Sequence, residues 1–115
     1  MAENDRNKRL EKLVAAPGAL TALVDYQEGA VVSRTLLAKT SGTVTIFAFD
    51  AGQSLSEHTA PYDALVCALD GESELTVSGK PFALRSGEAV ILPAHEPHAV
   101  RAIQKFKMLL VMIRS

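Results

Sequence analysis

The sequence predicts an all-β fold, a sandwich or barrel of antiparallel strands, and three observations carry that prediction. From Ala30 onward, short runs of β-branched and apolar residues recur with turn residues roughly every 8–12 positions. Glycine-bearing turns punctuate the runs at Thr40-Ser41-Gly42, Asp50-Ala51-Gly52, Asp70-Gly71, Ser78-Gly79 and Ser86-Gly87. Apolar residues at helical spacing are confined to the stretch before Gly29.

Taken in order, residues 1–12 are charged throughout and have no apolar face to bury, so this end is expected to fray. Leu13 to Gln27 places Leu20, Leu23 and Val24 at roughly helical spacing after a Pro17-Gly18 break. The expectation there is a loop and one short helical turn ending near Gly29. Residues 1–30 thus form an N-terminal arm and residues 31–115 the barrel. Its candidate strands are Val31–Ala38, Gly42–Asp50, Ser54–Thr59, Ala64–Leu69, Ser73–Val77, Lys80–Leu84, Ala89–Leu92, His98–Ala102 and Phe106–Ile113. Val77-Ser78-Gly79-Lys80 reads as a tight hairpin in which glycine supplies positive φ.

Two of these strands are apolar on both faces. Because side chains alternate along a strand, Ala64, Val66 and Ala68 point one way and Leu65, Cys67 and Leu69 the other. Met108–Ile113 is similarly unrelieved. A surface sheet normally keeps one polar face, so either the N-terminal segment or a second subunit must cover the outer one. A homodimer is the expectation, on the general preference for symmetric pairs.

Composition bounds the function. At 115 residues the chain is one domain, and 48% apolar residues are enough for a core. A net charge of -1 with no basic stripe gives nucleic-acid binding no electrostatic support. No apolar run approaches the ~20 residues of a membrane span, and the charged N-terminus lacks the apolar centre of a signal peptide. The lone Cys67 excludes an intrachain disulfide framework. The expected setting is cytoplasmic.

All three histidines fall in two stretches, Gly52–Gly71 and Gly87–His98. In the first, Gly52 is followed by five residues and His58, and Gly71 closes the stretch. In the second, Gly87, Pro93, His95 and His98 stand in turn. These spacings resemble the two motifs of a small single-domain cupin, over roughly residues 40–113. The resemblance implies a jelly-roll-like double-stranded β-helix barrel. It also implies a divalent metal (Zn, Ni, Fe or Mn) held inside it by three histidines and a glutamate. Two of those four positions carry a ligand here, His58 and His98; Ala60 and Ala64 stand at the other two and offer no ligand atom. His95 replaces a motif glycine and Ala102 a motif asparagine. Two imidazoles alone bind a metal weakly, since stable sites normally have three or four protein ligands.

His58 and His98 are therefore expected to face each other across the barrel interior, with His95 nearer the rim as a third candidate ligand. Ala60, Tyr62, Ala64, Val66 and Ala68 are expected to line the pocket. Read blandly, His58 is a strand-end histidine bonded to a backbone carbonyl, Tyr62 packs on Pro61, and His95 is a surface loop residue. By strand parity Asp63 and Cys67 should face away from the pocket. Met108 and Met112 read as core.

Three functions compete. The first is a barrel that binds a small molecule without turnover, its apolar wall anchored by His58 and His98. The second is a metal-dependent enzyme, of dioxygenase or isomerase type, with a reduced histidine centre. The third is metal-free acid–base catalysis by His58 or His98, ranked last because no carboxylate stands as an obvious partner. The cupin barrel hosts many chemistries, so the resemblance does not choose among them.

Overall fold

The structure is a computed structural model that describes residues 13–114. The expectation for residues 1–12 lies outside the described residues. A short 3-10 helix, Leu20–Leu23, precedes nine strands. These are β1 (Val31–Lys39), β2 (Gly42–Phe49), β3 (Ser54–His58), β4 (Asp63–Asp70), β5 (Glu72–Val77), β6 (Lys80–Arg85), β7 (Ala89–Leu92), β8 (His98–Ala102) and β9 (Phe106–Ile113). Each lies within a residue or so of its sequence-based bounds, because two-residue alternation and turn glycines are both local signals. At the β5–β6 turn, Ser78 and Gly79 both have positive φ, 50° and 82°. That is the backbone of a two-residue hairpin loop, whose twist matches the flanking strands.

The strands form two antiparallel sheets, one of five in the order β1-β2-β9-β4-β7 and one of four in the order β3-β8-β5-β6. Alternation decides what lies between them. Phe49 of β2, Phe106 and Met108 of β9, and Ala64, Val66 and Ala68 of β4 point inward to meet Leu75, Leu84, Val100 and Ala102 of the other sheet. The Phe49 and Phe106 rings pack with centroids 5.7 Å apart. Burial of each such large side chain contributes about 1.5–3 kcal/mol.

The outer face of the five-stranded sheet is divided. Over one part lies the N-terminal segment: Leu23 and Val24, both buried, pack on Ile46 and Ala48, with Tyr26, Leu69 and Leu109 around them. Polar contacts pin the segment. Arg34 donates to the Leu23 carbonyl at 2.9 Å, Lys107 to the Thr21 carbonyl at 2.6 Å, and the Tyr26 hydroxyl to Asp70 at 2.5 Å. The Lys107 ammonium also lies 4.7 Å from the Tyr26 ring centroid. The other part of the face stays open, with Leu65 38%, Ile91 66% and Ile113 62% exposed. Among the described residues, intrachain covering thus reaches only part of the apolar surface of β4 and β9.

Candidate functional site

His58 is the last residue of β3 and His98 the first of β8. The two strands pair antiparallel with these residues as direct partners, after an irregularity between Leu55 and His58. His98 shares the inward parity of Val100 and sits opposite Val77 of β5, so the pair lies at one end of the barrel. The structure brings one histidine of each motif together, in a geometry different from the one anticipated. The imidazoles do not approach from opposite walls; they are cross-strand neighbours in one sheet. Register between β3 and β8 sets this, and nothing in either motif specifies which strands pair.

The rings meet edge to face, with centroids 4.3 Å apart and planes at 71°. Their Nε2 atoms are 3.1 Å apart. His58 Nδ1 lies 2.8 Å from the Ser56 carbonyl oxygen, and His98 Nδ1 lies 3.2 Å from that of Glu96. A carbonyl oxygen only accepts, so each Nδ1 must carry the hydrogen and donate it. Each Nε2 is then left with a lone pair, and the two nitrogens lie side by side. A divalent cation between the two nitrogens would accept both lone pairs. A second nitrogen tied to the backbone is also how metal-binding histidines are oriented.

Two nitrogen ligands at about 2.1 Å from one ion stand roughly 3.0 Å apart at a right angle and 3.4 Å at a tetrahedral angle. The observed separation falls inside that range, so the donor pair fits a divalent ion. The His98 pKa is lowered from its ordinary value, chiefly by burial, with the His58 charge adding to the effect and the Glu96 carbonyl opposing it. A lowered pKa keeps the ring neutral at neutral pH, the form that binds metal.

The remaining sequence candidates divide by position. His95 is exposed and has φ 70°, the left-handed region that explains a glycine at this motif position. Its N–H donates to the Ala60 carbonyl at 2.8 Å. Among the described residues no group of three or more His, Cys, Asp or Glu could hold a metal ion, so His95 is not gathered with the other two. Ala60 and Tyr62 are half-buried, between β3 and β4. Ala64, Val66 and Ala68 belong to the packed interior, where Phe49, Phe106 and Met108 fill the space between the sheets. Asp63 and Cys67 face outward, as parity requires.

Sequence reasoning missed the contacts that hold the mouth together. The Asp63 carboxylate accepts the Ala94 N–H at 2.9 Å, which ties the Pro93–Pro97 loop to the start of β4. The Ser78 hydroxyl donates to the Glu96 carboxylate at 2.5 Å, and the Ser78 N–H to the Pro97 carbonyl at 2.8 Å. The Arg114 guanidinium lies 5.1 Å from the Tyr62 ring centroid. Serine, glutamate and arginine are so common at turns and chain ends that no local signal marked them.

Comparison with known proteins places this architecture. A family model described as "Cupin domain" matches residues 45–114. A conserved protein of unknown function from Streptococcus pyogenes is 34% identical, with a TM-score of 0.84 over 88% of this chain and 89% of its own. A cupin superfamily protein from Desulfitobacterium hafniense is 29% identical, with a TM-score of 0.83 over 86% and 91%. A Cupin 2 conserved barrel domain protein from Leptotrichia buccalis is 49% identical, with a TM-score of 0.80 over 83% of this chain and 46% of that one. No curated protein matches the chain.

Proposed function

The chain belongs to the cupin-domain family, and from that premise we propose that it binds a small molecule at the barrel mouth beside a divalent metal ion held by His58 and His98. One observation carries the reading: two Nε2 atoms 3.1 Å apart, with both Nδ1 atoms within hydrogen-bond distance of backbone carbonyls. Imidazole suits Zn, Ni, Fe and related ions, and such an ion would act as a Lewis acid toward an oxygen of the ligand. His58 and His98 supply the ligating nitrogens, and their Nδ1 contacts to backbone carbonyls hold the rings in place. Ala60 and Tyr62 give the mouth its apolar wall, with the Arg114 guanidinium over the Tyr62 face. With two protein ligands, several coordination positions are left for water and ligand. The same openness supports a metal-dependent enzyme of dioxygenase or isomerase type as the second reading. As partner we propose a second copy of the chain against the open sheet face, on the exposure of Leu65, Ile91 and Ile113. Light scattering that gives a monomer mass at micromolar concentration would reject the dimer.

The test of the site is metal analysis of untagged protein purified without chelator, followed by Ni2+ and Zn2+ titration calorimetry. The parent should bind one ion per chain. His58→Ala and His98→Ala should each abolish binding, and His95→Ala should weaken it less. A parent that takes up no divalent ion above background ends the metal reading. Metal retained tightly and stoichiometrically through purification would move the enzyme reading ahead of the binding barrel.

A further inference from the structure

Resting on the metal reading above, we propose that Ser78 and Glu96 form a clamp that positions His98, so that residues on the β5–β6 turn tune a site to which they contribute no ligand. The argument starts from the backbone. Ser78 has φ 50° and is followed by Gly79 at φ 82°. A two-residue hairpin loop of this form favours asparagine or glycine at its first position, since positive φ strains other side chains. Serine there has no advantage for the turn itself. Its hydroxyl does have a contact to make: it reaches the Glu96 carboxylate at 2.5 Å, while its N–H holds the Pro97 carbonyl at 2.8 Å.

Glu96 is the residue whose carbonyl oxygen accepts the His98 Nδ1 hydrogen, at 3.2 Å. The side chain of Glu96 is therefore anchored to one strand pair while its backbone orients the imidazole. From the other side, the same loop is tied to the His58-bearing arm by the Ala60 carbonyl and the Asp63 carboxylate. The loop is held at both ends, and His98 emerges between them. Without the Ser78 contact, the exposed Glu96 side chain is free and the peptide that carries its carbonyl can rotate. The His98 hydrogen then loses its fixed acceptor, and with it the tautomer that leaves Nε2 bare. Groups that orient a ligating histidine in this way typically cost 10–100-fold in metal affinity when removed.

The experiment compares parent, Ser78→Gly, Glu96→Ala, the double variant and Glu96→Gln. Glycine removes the hydroxyl while accommodating the positive φ, and glutamine keeps an acceptor for Ser78 while removing the charge. Two readouts are taken: Ni2+ affinity by calorimetry, and the His98 tautomer in metal-free protein by long-range 15N–1H NMR. Ser78→Gly and Glu96→Ala should each weaken Ni2+ binding about tenfold and shift His98 from the Nδ1–H form toward a mixture, with His58 unchanged. The double variant should be no worse than either single one, and Glu96→Gln should stay close to the parent. Parent-like affinity and tautomer in Ser78→Gly would overturn the clamp, as would additive losses in the double variant. Failure of the parent to take up Ni2+ would instead end the metal reading, and the His98 spectrum would still decide the clamp.

Discussion

Gly71, which closes the first motif, should be far less tolerant of a side chain than Gly79, the glycine of the β5–β6 turn. A Cβ built there lies 1.9 Å from the Lys105 carbonyl oxygen, 2.9 Å from its carbon and 3.2 Å from the Phe106 Cα. Ordinary non-bonded carbon contacts sit near 3.5–4.0 Å, so this backbone must move by more than an ångström. It is not free to do so. Ile103 and Gln104 in the same connection donate to the Glu72 carbonyl at 3.0 and 3.2 Å, and Lys107 pairs with Asp70 just beyond. Gly71 also has φ 76°, which costs an alanine about 1–2 kcal/mol. Losing one or two backbone hydrogen bonds adds about 0.5–1.5 kcal/mol each. Gly71→Ala should therefore destabilise by about 2–5 kcal/mol. Gly79→Ala is the control, because φ there is 82° but nothing lies within 4 Å of the new Cβ; its cost should stay near 1–2 kcal/mol. Urea unfolding followed by circular dichroism measures both, with the slope held common. If the two variants fall within about 0.5 kcal/mol of each other, the close approach of the β8–β9 connection is not what requires glycine at this position.

Three further outcomes are expected. Ala60→His with Ala64→Glu should raise Ni2+ affinity by rebuilding the four-ligand set. Because Ala64 is only 7% exposed, that variant should melt below the parent without metal and recover when metal is added; equal melting with and without metal would show that the motifs do not converge. Metal-free stability should fall as pH drops below about 6.5, since the unfolded chain protonates His98 while burial holds its folded pKa lower; denaturant titration at several pH values should find this loss reduced in His98→Ala. Finally, the Tyr26 pKa is raised by burial and by its bond to Asp70, so the contribution of this bond is present below about pH 10 and is lost above it. Tyr26→Phe should cost about 1 kcal/mol near neutrality and show less alkaline destabilisation, read from chemical unfolding.

The nine strands, the turn at Ser78-Gly79 and the family spacings were legible in the chain itself, because alternation, turn chemistry and motif distances are properties of neighbouring residues. Inward parity was legible too: Ala64, Val66 and Ala68 against Leu65, Cys67 and Leu69 separated as a period of two demands. The candidate ligands His58 and His98 were nameable for the same reason. What they do to each other was not. That β3 pairs with β8 in the register His58↔His98 depends on the packing of whole sheets, and it is this pairing that places the imidazoles side by side. The Ser78–Glu96 contact follows from that long-range assembly, whereas each Nδ1 contact is local, to the carbonyl two residues earlier. The same holds for the outer face. An apolar excess in β4 and β9 could be read from sequence, but only the folded chain shows that Leu23 and Val24 pack on Ile46 and Ala48 while Leu65, Ile91 and Ile113 stay exposed. Local chemistry determined which residues could serve; the non-local pairing of strands decided which of them meet.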